Sequence, residues 1–170
     1  MTVPQKSSEE QRADTRISEL SPPSVTKLLE RHFPEINDDI GSIDILACGV
    51  GPTLVKLRYE KRFARPGGTI SGPTMFKLAD LACYVAILSR LGEAAVDSVT
   101  TTLTINFLAR PVPSDLICTV DILRQGRRQV VCEARIHSCD TAQAEDGTGT
   151  DRMLGRMVAQ ASCIYALPMV

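Results

Sequence analysis

The sequence has no tryptophan and only three tyrosines and four phenylalanines among 170 residues, so it offers little aromatic surface on which nucleic-acid bases could stack. Its charge is nearly balanced, with a formal net charge of −1. A chain without an excess of positive charge lacks the electrostatic attraction that draws proteins to nucleic acids or to anionic membranes. We therefore expect neither as a partner.

Metal-binding patterns are also missing from the chain. None of the six cysteines lies in a CxxC pair, and the two histidines, His32 and His137, are far apart in sequence and outside any Cys/His motif. The cysteines fall within predicted strands and a predicted helix, where we expect reduced core residues. The sequence predicts no metal site.

No targeting segment is recognisable in the sequence. The first twenty residues are polar and lack the apolar core of a secretory signal, and the apolar stretch 75–88 is interrupted by Lys77 and Asp80. That stretch is shorter than the ~20 apolar residues that cross a bilayer. We expect a cytoplasmic protein with a flexible tail over residues 1–22 and a single domain, opened by a short helix, over residues 23–170.

The most distinctive stretch is a glycine-rich turn followed by a long apolar helix. Residues 67–92 spell GGTISGPTMFKLADLACYVAILSRLG. Pro73 suits the first turn of a helix, and Gly92 suits its end. Apolar residues between these points surround the helix axis instead of forming one stripe. The pattern predicts a core helix that begins near Pro73.

Strands are predicted on both sides of this helix. Alternating or short apolar runs, separated by turn residues, indicate six of them. They are Ile43–Cys48, Leu54–Tyr59, Val99–Phe107, Leu116–Ile122, Val130–Ile136 and Met157–Tyr165. A short helix over Val25–His32, capped by Ser24, precedes them, and Asp140–Asp151 is a polar loop. One helix on one face of an antiparallel sheet is an α+β arrangement, whose open face and edges favour a homo-oligomer.

Asp80 is an unusual residue for the interior of this helix. It lies two turns from the start, too far to cap the helix or to interact with its dipole, and its neighbours are uncharged. A carboxylate in such a place needs a partner or a chemical role. An ion pair with Lys77, one turn earlier, is the structural interpretation, and an acid at a functional site is the other.

Two known motifs near the start of this helix, a nucleotide-binding P-loop and the elbow of a catalytic serine, are incomplete. Gly67 and Gly72 have P-loop spacing, but Pro73 stands where the phosphate-binding lysine is required. Ser71 lacks the flanking glycines of a nucleophile elbow. What remains is a helix start, whose N–H groups can stabilise an oxyanion, and an acid two turns later that can activate water or attack a carbonyl.

At this point the chain resembles a known family. The runs GTISGPTMFKLADLA, TLTINFLARP and GRRQV look like the hotdog-fold acyl-CoA thioesterases of the phenylacetate-pathway and 4-hydroxybenzoyl-CoA type, over about residues 41–166. The resemblance implies a long central helix wrapped by a curved antiparallel sheet of about six strands. It also implies a homodimer or dimer of dimers, in which the helices of two subunits lie side by side and active sites form at the dimer interface.

The resemblance assigns roles to residues near the helix start. Asp80 matches the catalytic acid, and the N–H of Gly72 matches the donor that polarises the thioester carbonyl. Ser71 stands where a histidine is common, and could orient the substrate. Pro73 replaces the next glycine of the family pattern. Arg65 falls where an Asn or Gln often holds the water or the carbonyl.

Four residues are the candidate substrate-binding positions: Pro73, Tyr84, Arg127 and Arg128. Tyr84 either lines the acyl pocket or serves as a core tyrosine. The two arginines either meet the CoA phosphates or remain in a solvated turn. No cofactor is expected, since CoA enters as part of the substrate.

The function implied is hydrolysis of an acyl-CoA to a free acid and CoA. The alternative is an acyl-CoA or acyl-carrier binding module with weak catalysis, which the replaced histidine and Asn/Gln favour. A dehydratase is a third hypothesis, and it would need His137, which is predicted at a strand end facing away from the apolar residues.

Overall fold

The computed structural model describes residues 19–139 and 154–169. Its helices are α1 (Pro22–His32), α2 (Ile36–Ile40) and α3 (Gly72–Leu91). Its strands are β1 (Ile43–Ala47), β2 (Thr53–Leu57), β3 (Ala64–Arg65), β4 (Thr69–Ile70), β5 (Val99–Phe107), β6 (Leu116–Gln125), β7 (Gln129–Ser138) and β8 (Arg156–Ala166). Short 3-10 turns occupy Lys61–Phe63 and Gly92–Ala95.

Six of the strands form one antiparallel sheet in the order β1-β2-β6-β7-β8-β5. The two remaining strands, β3 and β4, form a small hairpin immediately before α3. The long helix α3 lies against the sheet and contacts β2, β5, β6, β7 and β8. The predicted α+β class and the hotdog arrangement, a central helix wrapped by an antiparallel sheet, are both confirmed.

Helix α3 begins and ends where its sequence indicates. Ser71 is the N-cap, and its Oγ accepts a hydrogen bond from the N–H of Thr74 at 3.3 Å. Pro73 lies in the first turn, where its missing N–H costs nothing. Gly92, with φ of +61°, ends the helix in a conformation that favours glycine. Buried side chains on all sides of the helix axis make α3 the centre of the core.

The first helix starts earlier than predicted. Helix α1 begins at Pro22 and Ser21 is its N-cap position, so the expected start after Ser24 was wrong. Two prolines at the first helical positions carry no N–H group that would need a partner, and their fixed φ already suits a helix. Pro22 is therefore part of the folded domain. Val25 and Leu29 of α1 are buried against the core.

Some predictions fall on residues outside the described ranges. Most of the predicted tail, residues 1–18, lies there, and so does the whole of the predicted polar loop, Asp140–Asp151. The short helix α2, which follows Pro34, was not predicted. All six cysteines are free, and four of them, Cys83, Cys118, Cys132 and Cys163, are buried. Among the described helices, none is long and apolar enough to cross a membrane.

Candidate active site

The carboxylate of Asp80 is held by two hydroxyl groups. Its Oδ1 accepts hydrogen bonds from Thr100 Oγ1 and from Tyr165 Oη, both at 2.7 Å. Tyr165 Oη also lies 2.8 Å from the carbonyl oxygen of Asp80. Lys77 pairs with Asp39 of α2 instead, so the structure does not contain the ion pair between Lys77 and Asp80. Among the described residues Oδ2 of Asp80 has no hydrogen-bond partner, which leaves it available to a bound molecule.

Both hydroxyl donors were missed by the sequence analysis. Strict alternation along β5 puts Val99 and Thr101 on the same side as the core residue Leu103. The register of β5 against β8 shifts between Thr100 and Thr102, as at a β-bulge. Thr100 is therefore paired with the buried Tyr165 and faces the helix. A bulge of this kind cannot be seen in the alternation of the sequence.

Tyr165 is a permanent donor to Asp80. Its burial, together with the neighbouring negative charge of Asp80, raises the pKa of its hydroxyl far above the ordinary value for tyrosine. The hydroxyl is therefore protonated across the whole range in which proteins work. Together with Thr100, it fixes one oxygen of the carboxylate and thereby the direction of the other.

A cavity of about 520 Å³ opens beside Asp80. One wall is formed by Leu81 and Tyr84 of α3, and another by Thr100 and Tyr165. The rings of Tyr84 and Tyr165 are stacked with centroids 6.3 Å apart, and Tyr84 Oη donates to the carbonyl oxygen of Val96 at 2.6 Å. Tyr84 therefore both lines the cavity and ties α3 to the segment that leads into β5.

The start of α3 does not line the cavity beside Asp80. Ser71 is engaged as the helix cap, through its bonds to the N–H and the hydroxyl of Thr74. The N–H of Gly72 has no acceptor among the described residues. A Cβ on Gly72 would lie 3.1 Å from Phe107 Cζ. Pro73 borders a second, smaller cavity of about 190 Å³, which Arg62 and Lys77 also line.

Within one chain Gly72 and Asp80 do not face a common point. They are eight residues apart on one helix. At about 1.5 Å of rise and 100° of rotation per residue, this separates them by roughly 12 Å along the axis and about 80° around it. A single carbonyl carbon cannot contact both groups of one chain.

The three candidate arginines do not line the cavity beside Asp80. Arg65 is exposed on β3, in the hairpin that turns at Gly67 and Gly68. Arg127 and Arg128 are exposed in the turn between β6 and β7. Because Gln129 pairs with Ala166, next to Tyr165, this turn lies at the same end of the sheet as the cavity.

The two histidines occupy different surroundings. His32, expected to be a solvated residue at a helix end, lines the cavity beside Asp80, and its Nε2 lies 2.7 Å from Glu93 Oε1. That contact joins residues from distant parts of the sequence, so sequence spacing gives no sign of it. His137 alternates with buried residues of β7 and therefore projects from the opposite face of the sheet.

A protein-family model matches the part of the chain that contains Asp80 and the helix start. A family model described as the thioesterase superfamily matches residues 67–145. Among curated proteins, a candidate esterase of Saccharolobus solfataricus is 26% identical over 116 residues, which is 67% of this chain and 81% of its own. The matched region of the family model contains the helix start, Asp80 and Thr100.

Solved structures share the whole fold. A candidate thioesterase from a Silicibacter species is 28% identical with a TM-score of 0.70, over 92% of this chain and 97% of that one. The Escherichia coli PaaI protein from the phenylacetic acid degradation operon is 18% identical with a TM-score of 0.66, over 88% and 97%. A candidate thioesterase from Streptococcus pneumoniae, solved with coenzyme A, is 19% identical with a TM-score of 0.66, over 82% and 96%. At such identities the last two show a shared fold.

Proposed function

We propose that this chain, which matches the thioesterase superfamily over residues 67–145, hydrolyses an acyl-CoA thioester to a free acid and CoA. The observation that supports this most directly is the placement of Asp80. One carboxylate oxygen is fixed by Thr100 and Tyr165, and the residue lines a cavity large enough for a small molecule. The solved S. pneumoniae relative with coenzyme A supports CoA as the carrier of the acyl group.

The proposed site is completed by a second copy of the chain. Strand β5 is an edge of the sheet, and apolar residues are exposed at its two ends, Val99 at 61%, Phe107 at 53% and the following Leu108 at 53%. An exposed edge strand leaves a row of unpaired N–H and C=O groups that can pair with another strand. Phe107 lies beside Gly72, and Thr100 lies beside Asp80. Antiparallel pairing of two β5 strands about a twofold axis would therefore bring Gly72 of one copy towards Asp80 of the other.

In this arrangement each group has a defined task. The N–H of Gly72 donates to the thioester carbonyl oxygen and stabilises the negative charge that develops on it. Oδ2 of Asp80 either accepts a proton from the attacking water or attacks the carbonyl carbon itself, giving an anhydride that water then opens. In both routes the C–S bond breaks, the CoA thiolate leaves and takes up a proton, and the acid remains.

Thr100 is a positioning residue for Asp80, and Thr100→Val should lower kcat/KM by about tenfold. The substitution removes one hydrogen bond to a charged group, worth roughly 1.5 kcal/mol, while it keeps the shape of the side chain. We expect little change in KM, because Thr100 holds the acid and not the CoA. Thr101→Val is the matched control, since the Thr101 hydroxyl bonds to the carbonyl oxygen of Ile164. Equal activities of the two variants would remove Thr100 from the site.

The proposed function is tested by thiol release from acyl-CoAs. The panel should contain short, medium, long and aromatic acyl groups. The proposal predicts CoA release from at least one class, at a rate proportional to enzyme. If no thioester is cleaved while the acyl-CoAs still bind, the chain is the binding module and not a hydrolase.

A further inference from the structure

Part of the cavity wall comes from a segment before the matched family region. The end of α1 and the following helix α2 contribute His32, Phe33, Ile36, Asp39 and Ile40 to the cavity beside Asp80. The family model begins only at residue 67. We call residues 32–40 the α1–α2 wall. This wall closes one side of the space next to the proposed catalytic acid.

The α1–α2 wall is fastened to the rest of the domain on both sides. His32 Nε2 lies 2.7 Å from Oε1 of Glu93, in the 3-10 turn after α3. On the other side Lys77 of α3 pairs with Asp39. Ile36 and Ile40 are buried in the core, 6% and 4% exposed. The wall is therefore part of the folded domain, and Phe33 is presented on it at 42% exposure.

The charges around the cavity favour the acyl end of an acyl-CoA over its CoA end. Among the residues that the structure describes, the cavity lining carries three carboxylates, those of Asp39, Asp80 and Asp97, but one lysine, Lys77, and no arginine. Lys77 is already paired with Asp39. This excess of negative charge disfavours the phosphates of CoA, and equally an acyl group that ends in a carboxylate. The apolar lining from Phe33, Ile36 and Leu81 suits an uncharged hydrocarbon.

We propose that the α1–α2 wall, with Phe33 at its exposed position, is the acyl-specificity surface of this protein and selects uncharged, largely apolar acyl groups. The proposal rests on the thioesterase function proposed above. The cavity volume of about 520 Å³ is within the range of pockets that bind small molecules, so there is space beside the wall for an acyl group. Thioesters of dicarboxylic acids are excluded by their terminal charge.

The test is to reverse the selectivity with Phe33→Arg. Its substrates are octanoyl-CoA and phenylacetyl-CoA, each beside the counterpart that carries a carboxylate at the far end of the acyl group. Wild type should cleave the uncharged member of a pair at least about tenfold faster, and Phe33→Arg should reduce that preference about tenfold by adding a cation to the wall. Leu123→Arg, an equally drastic change at a residue that is 62% exposed and does not line the cavity, should leave the preference unchanged.

A second variant and a binding measurement complete the test. Phe33→Ala should weaken the preference for uncharged acyl groups without adding charge. Octyl-CoA, a thioether that cannot be hydrolysed, separates the two proposals when its binding is measured by calorimetry. If wild type cleaves no acyl-CoA but binds octyl-CoA, and Phe33→Arg weakens that binding about tenfold, the specificity surface stands and hydrolysis fails. If wild type cleaves the uncharged thioesters, and Phe33→Arg and Leu123→Arg behave alike in cleavage and in binding, the specificity proposal is overturned while hydrolysis stands.

Discussion

Asp80→Asn should lower kcat by about 10²- to 10⁴-fold, the usual contribution of a positioned acid–base group. The amide has the same shape, and its oxygen can still accept the hydrogen bonds that Thr100 and Tyr165 donate to Oδ1. It cannot take a proton from water at neutral pH, nor can it attack a thioester as a carboxylate does. The loss should therefore appear in turnover, with the melting temperature within a few degrees of wild type.

Asp44→Asn is the matched control for this variant. Asp44 is also half-buried and also accepts two hydrogen bonds, both from Arg58, but it lies on β1 and does not line the cavity. Its variant should retain nearly full activity against the acyl-CoA panel. A folded Asp80→Asn protein that keeps more than about a tenth of wild-type kcat would show that the reaction does not need this carboxylate.

Gly72→Pro should lower kcat by about 10²- to 10³-fold, because it removes the backbone N–H that is proposed to stabilise the oxyanion. Proline is compatible with the first turn of a helix, and α1 of this chain already begins with two prolines. The variant is therefore expected to fold, although its ring must displace the tip of Phe107. Circular dichroism and a thermal melt would establish folding before the kinetics are interpreted.

Gly72→Ala separates the loss of the N–H from the loss of space. It keeps the donor and adds a Cβ that would sit 3.1 Å from Phe107 Cζ, the far end of a side chain on the exposed edge strand. We expect kcat within about tenfold of wild type, since the ring can move by the few tenths of an ångström required. If alanine and proline are equally damaging, the space in front of Gly72 matters and its N–H does not.

The central helix could be predicted from the sequence because its determinants are local. Ser71, Pro73 and Gly92 mark its ends, and the apolar residues between them are distributed all around the axis. The antiparallel strands follow from two-residue alternation in the same way. Asp80 could be singled out because a lone acid in an apolar helix conflicts with that local pattern.

The partners of Asp80 could not be predicted, because they depend on contacts between distant parts of the chain. Thr100 reaches the acid through a bulge in β5, and Tyr165 comes from the last strand. His32 was expected to be solvated, and its bond to Glu93 brings it to the cavity. The small helix α2 carries too few residues for a helical period to be visible in the sequence.

Subunit complementation tests the central claim, that Gly72 of one copy and Asp80 of another act on the same thioester. Asp80→Asn and Gly72→Pro chains, each inactive alone, are co-expressed with different affinity tags, and the mixed population is assayed for CoA release. If the site spans two copies, a mixed dimer contains one intact site, and random mixing should restore about a quarter of the wild-type rate. If the mixture contains mixed dimers but is no more active than its parents, the two-copy site is wrong.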